Sequence, residues 1–249
     1  MLSLSRYLVA GWLAALILAA CSKDKPEPTE TRVAPAASPA ASAASGQRRF
    51  AVASGSATFL IDAPLEKIKG RSTRVRGHLN IDPRNLKATT GQIEFDLDDL
   101  KTETFEDDAK NKAQTGHSKN WLEIGPDVDA KIREENRWAR FTIKSIDEIG
   151  ATELAKSGEG TPIPLRATGD IWIHGVASPK KIAVTANFAG PPEAPTSVHV
   201  VTTEPLKVSL KQHDVKPRDL AGKFLAGALE KIGQKIDDTV QISLDLTAK

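Results

Sequence analysis

From residue 48 onward the chain alternates apolar and polar positions, and the pattern is most informative between Leu165 and Phe188. There Ala167, Gly169, Ile171 and Ile173 alternate with Arg166, Thr168, Asp170, Trp172 and His174. Further on, Ile182, Val184, Ala186 and Phe188 alternate with Ala183, Thr185 and Asn187. A period of two places the first set of each run on one face of a sheet, so the stretch predicts two strands joined through Gly175 to Pro179, with one apolar wall.

The other elements arrange themselves around that pair. Phe50 to Asp62, with Ala57, Phe59 and Ile61 in phase, predicts a strand, followed by a short turn or helix at Pro64 to Lys69. Arg71 to Asp82 predicts a second strand, with Val75, Gly77, Leu79 and Ile81 opposite Arg74, Arg76 and His78. Thr89 to Leu100 sets Ile93, Phe95 and Leu97 against Gln92, Glu94, Asp96 and Asp98, whose face is expected to be wet. Thr104-Phe105-Glu106-Asp107 matches a capping box and predicts a polar helix to about Asn120. Trp121 to Ile124 is read as a resumed strand and Trp138 to Ile149 as another, with Phe141 and Ile143 on one face. Thr152 to Pro164 reads as an extended loop, and Ser197 to Lys211 as a strand region broken at Pro205. Arg218 to Lys235 has the three-and-four spacing of an amphipathic helix, and Thr239 to Ala248 closes with Val240, Ile242, Leu244 and Leu246 in phase. The expected fold class is all-β: an eight-stranded antiparallel barrel with one short helix midway and one near the C-terminus. Closure removes both sheet edges, and eight strands leave an interior just wide enough for one elongated ligand.

The leader changes the picture. Arg6 precedes a 14-residue apolar run, Tyr7 to Ala20, which is too short for a membrane span of about 20 residues and reads as a signal peptide over 1–20. It ends in Leu18-Ala19-Ala20-Cys21, which resembles the lipobox of bacterial lipoproteins. That resemblance implies cleavage before Cys21 and lipid attachment to its thiol, stable with two or more acyl chains. By lipoprotein sorting rules Ser22 implies the periplasmic face of the outer membrane. Residues 21–47 are rich in Pro, Ala and Ser and nearly free of aliphatic side chains, which predicts a disordered tether. Its roughly 25 residues reach at most on the order of 85 Å. The folded domain is expected over 48–249.

Charge and cysteine count exclude more than they assign. The formal charge is +2, which gives no sign of nucleic-acid binding, and a single cysteine excludes an internal disulfide or a thiolate metal site. The five histidines lack ligand spacing, and there is no nucleophile elbow, phosphate loop or His-Glu-x-x-His, so no enzyme is expected and no metal or cofactor is implied. The basic stretch Lys67 to Arg76 and the acidic run Asp96 to Asp108 read as solvated faces.

Gly169-Asp-Ile-Trp-Ile-His-Gly-Val-Ala-Ser-Pro-Lys-Lys-Ile182 is similar to the signature hairpin of the YceI-like family. Ser56 to Gly77, Thr102 to Leu122, Ala139 to Ile146 and Asp238 to Ala248 resemble further family segments in the same order. The resemblance implies a lipocalin-like barrel holding an isoprenoid quinone or related polyprenyl lipid. The implied wall residues are Phe59, Ile61, Ile93, Phe95, Leu97, Phe141, Ile143, Ile171, Ile173, Val184, Phe188, Ile242 and Leu244. His117 and Trp121, near the helix end, are candidates to line a pocket mouth and meet a quinone carbonyl. The family's Asp-x-x-His-Ser start has no counterpart before Thr58, where the chain reads Ala-Val-Ala-Ser-Gly-Ser, so no head-group histidine is carried over. Two readings stay open at this level: a membrane-tethered lipid carrier, or an envelope interaction module with a packed interior. A homodimer is compatible with either.

Overall fold

Eight long strands close on themselves because the first and last of them pair. The computed structural model describes residues 46–62, 67–158, 160–218 and 238–249. The strands are β1 (Arg48–Asp62), β2 (Lys67–Ser72), β3 (Val75–Asp82), β4 (Asn85–Asp96), β5 (Lys101–Thr102), β6 (Trp138–Ile149), β7 (Ile163–Ile173), β8 (Val176–Ala189), β9 (Ser197–Thr202), β10 (Leu206–Ser209) and β11 (Thr239–Ala248). Two helices, α1 (Asp108–Trp121) and α2 (Ala130–Asn136), lie between β5 and β6. Around the barrel the order is β1, β3, β4, β6, β7, β8, β9, β11 and back to β1, all antiparallel. The expected all-β, closed eight-stranded barrel is therefore present. The leader, Cys21, the tether as far as residue 45 and the amphipathic segment from residue 219 lie outside the described residues.

The barrel has two distinct poles. At one, β2 continues the sheet on the second half of β1, β10 on the first half of β11, and α1 and α2 bridge β5 to β6. At the other lie the β3–β4 turn, the β6–β7 loop, Arg48 and Lys249, where Ala51 and Lys249 exchange both backbone hydrogen bonds. Of Thr152 to Pro164, expected to be an extended loop, Ile163 and Pro164 begin β7, and Thr152 to Ser157 pack at this pole around the 3-10 turn Leu154–Lys156. Leu154 is buried there and its N–H donates to the Pro83 carbonyl at 2.8 Å.

Several sequence expectations are corrected in detail. The hairpin turn is His174-Gly175, with φ of 51° and 77°, and Ile173 pairs directly with Val176. Two successive positive φ values match the twist of the flanking strands, whereas the sequence placed the turn across Gly175 to Pro179. Pro179 instead lies within β8 opposite Asp170, at a point where β9 has not yet joined. An edge position tolerates its missing N–H. The strand expected over Arg71 to Asp82 is two, broken at Thr73 and Arg74; of the turn or helix expected at Pro64 to Lys69, Lys67 to Lys69 are extended and the remainder lies outside the described residues. Leu97 leaves β4 in a single 3-10 turn, Leu97–Asp99, because the Asp96 carboxylate accepts from the Asp98 N–H at 3.0 Å. The cap of α1 is Asp107, which accepts from the N–H groups of Ala109 and Lys110. Thr104, expected in that role, bonds Gln114 and the N–H of Lys69. Trp121 to Ile124 is not a strand: α1 runs through Trp121, and Glu123 follows at φ 52°.

The largest correction concerns the face expected to be wet. Glu94 is 5% exposed and Asp96 is not exposed at all. Cross-strand register sets Arg76 and Arg140 on either side of Glu94, at 2.5 and 2.6 Å, and Arg74 and Arg137 clamp Asp96 at 2.8 and 2.7 Å. The Arg76 guanidinium lies 3.5 Å from the centre of the Trp138 ring. Burial would raise the Asp96 carboxyl, but hydrogen bonds from Arg137, Arg74 and the Asp98 N–H outweigh it and hold the group below the usual carboxylate range. These pairs lace β3, β4 and β6 together outside the barrel.

A second buried polar group pins the β7–β8 turn. The His213 ring is fully buried; its Nδ1–H donates to the carbonyls of Ile173 and Val176 at 3.2 and 3.1 Å, and its Nε2 accepts from the Ser178 hydroxyl at 3.0 Å. His174 donates from Nδ1 to the His213 carbonyl and meets the Glu123 carboxylate through Nε2 at 2.7 Å. Burial pushes both imidazoles below their ordinary value of 6.5, opposed at His174 by Glu123.

Replacing Asp96 with Ala leaves two clamping guanidiniums without their shared partner and is expected to lower unfolding free energy by about 3 kcal/mol, read by urea denaturation. The lowered histidines make the unfolded chain the better proton acceptor, so their contribution is present above pH 6.5 and lost as pH falls toward the folded values. The urea midpoint is therefore expected to drop between pH 7.5 and 5.5, and to drop less steeply in His213→Asn.

Candidate functional site

Inward-facing apolar side chains do not fill the barrel. A cavity of about 180 Å³ lies at the helical pole and a smaller one of about 70 Å³ at the other. The larger chamber is walled by the second half of β1, the ends of β4, β6 and β7 nearest the helices, β10 and the start of β11. Its closing element is α1, a polar helix without a buried residue, which turns Gln114, His117, Ser118 and Trp121 toward the space. Those four positions share one helical face by their spacing of three and four.

Every wall residue expected from the sequence borders one chamber or the other. Phe59, Ile61, Ile93, Phe95, Leu97, Phe141, Ile171, Ile173, Ile242, Leu244, His117 and Trp121 line the larger. Ile143, Val184 and Phe188 line the smaller. Four residues, Ile93, Phe141, Ile182 and Leu244, border both and form a waist between them. Sequence reasoning missed Ile68, Leu100, Leu122 and Val215, which line the larger chamber from a segment read as turn or helix, from the ends of segments read as strands, and from a stretch given no element.

The few polar groups at the larger chamber are mostly engaged. Arg140 is bound to Glu94, and His213 to Ser178 and two carbonyls. The Trp121 indole Nε1 is buried without a partner, while its carbonyl accepts from Arg218 at 3.3 Å. Among the described residues no group of three or more His, Cys, Asp or Glu side chains is placed to hold a metal ion. An apolar space of this kind binds by excluding water from apolar surface, with orientation left to a few polar groups at its edge.

Comparison with known proteins agrees with this architecture. The fold is similar to that of BcnA from Burkholderia cenocepacia, at 15% identity over 78% of this chain and 96% of that one, with a TM-score of 0.51. It is also similar to a polyisoprenoid binding domain from Saccharophagus degradans implicated in plant cell wall breakdown, at 13% identity over 80% of this chain and 97% of that one, with a TM-score of 0.53. A search of the curated proteins finds no match. The YceI-like domain model matches residues 50–248, from the first inward residue of β1 to the last of β11, and the chain belongs to that family.

Proposed function

We infer that this protein binds an elongated apolar lipid of isoprenoid type, a quinone or polyprenyl compound, in the larger chamber, and holds it without making or breaking a bond. The observation that carries the reading is the apolar cavity under α1, within a barrel whose fold is similar to that of a polyisoprenoid binding domain. Transfer of apolar surface from water supplies about 25 cal/mol per Å² and needs no directional contact, which suits a hydrocarbon tail. Trp121 and His117 stand at the helical side of the chamber, where a polar end of the ligand finds the indole N–H.

The anchor belongs to the same proposal. Lipidation at Cys21 ties the chain to a membrane, residues 21–47 act as the tether, and the sorting residue Ser22 directs it to the periplasmic face of the outer membrane. The protein then works as a tethered receptor or carrier, sequestering a lipid beside the bilayer.

Native mass spectrometry of the full chain purified from a membrane-containing host is expected to show protein ions carrying lipid mass. Ile171, 5% exposed on the chamber wall, tests the location: Ile171→Arg introduces a charge into apolar space and is expected to cut co-purified lipid by about tenfold or more in protein that keeps its β-sheet circular dichroism. Absence of lipid from the wild type, or equal lipid in the variant, would sink the reading.

A further inference from the structure

The waist is a built feature rather than incomplete filling. Phe141 sits between Ile93 and Ile171 in the ladder of β4, β6 and β7, and its ring reaches across to Gly169. A Cβ at position 169 would lie 2.9 Å from Phe141 Cζ and 2.2 Å from the Thr142 carbonyl oxygen. The missing side chain is therefore what lets the phenyl ring rest on bare backbone. Ile182 on β8, paired with Ala167 of β7, and Leu244 on β11, four strands round the barrel from Phe141, complete the partition. Phe141 is 6% exposed, so the ring is held by packing.

Volume gives the partition a consequence. The chamber on the helical side, about 180 Å³, is smaller than the roughly 300–1,000 Å³ of pockets that bury a drug-sized ligand. A chain entering from this side meets the waist before it reaches the second space, and close-packed interiors yield to extra volume only by displacing side chains.

We propose that the waist of Ile93, Phe141, Ile182 and Leu244 gauges the length of the apolar chain that the protein accepts, favouring short isoprenoid chains that end at Phe141 over long ones that must displace it. The proposal rests on lipid binding in the larger chamber. Short chains keep the ring on Gly169 and fill one chamber; long chains lose that packing before they gain the second.

The test offers the full chain an equimolar mixture of farnesol, geranylgeraniol and solanesol, with three, four and nine isoprene units, in nonionic detergent. Bound lipid is quantified by extraction and mass spectrometry after gel filtration. The wild type is expected to retain the two shorter alcohols over solanesol by about tenfold. Phe141→Ala is expected to bring that ratio near unity by joining the chambers, and Leu244→Phe to raise it. Phe141→Leu, which keeps most of the side-chain volume, carries the comparison if the alanine variant does not fold, with an intermediate ratio expected. Equal retention of all three alcohols by the wild type, or an unchanged ratio in a folded Phe141 variant, overturns the gauge while leaving lipid binding in place. Retention of none by the wild type overturns both.

Discussion

The interior exists because β1 and β11 pair. Their register, from Val52 opposite Ala248 to Ile61 opposite Val240, joins the two ends of an otherwise open sheet and turns its apolar face into a lumen. Each strand is longer than any single neighbour needs: β3 takes the first four residues of β1 and β2 its second half, while β9 and β10 divide β11 in the same way. The surplus length raises the wall around the larger chamber, and β2, paired with the second half of β1, carries β5, to which α1 is bonded at Thr102.

Strand phase was the legible part of the sequence. Period-two runs such as Ile93-Phe95, Phe141-Ile143 and Ile171-Ile173 assign a face to each residue without knowledge of the neighbours, and those faces all point into the barrel. What the runs lack is register. Glu94 and Asp96 were correctly placed on the outer face, but whether that face is wet depends on which side chains come from β3 and β6, and register supplies four arginines there. The same limit hid the waist, since only the pairing of β4, β6 and β7 brings Phe141 and Gly169 into contact. The helix α2 was invisible for a simpler reason: Ala-Lys-Ile-Arg-Glu-Glu-Asn offers one aliphatic position and no period, and Asp129 caps it locally.

The barrel thus divides its polar and apolar chemistry across a single layer of backbone. Outside, carboxylates are buried under guanidiniums and Trp138; inside, the wall is nearly free of charge. The outer lattice lets the inner face dispense with polar contacts between strands, so side-chain volume inside is available to shape the space. His213 is one exception, a buried imidazole at the chamber wall whose three ring hydrogen bonds all serve the β7–β8 turn and Ser178 of β8.

One arrangement at the far pole concerns where the first strand begins and the last one ends. Arg48, where the chain enters the barrel, and Lys249 lie together beside the smaller chamber, with Ala51 and Lys249 bonded to each other. The larger chamber lies beyond the waist, toward the helical pole. The residues at which the strands begin and end therefore stand apart from the walls under α1, and neither Arg48 nor Lys249 lines the larger chamber.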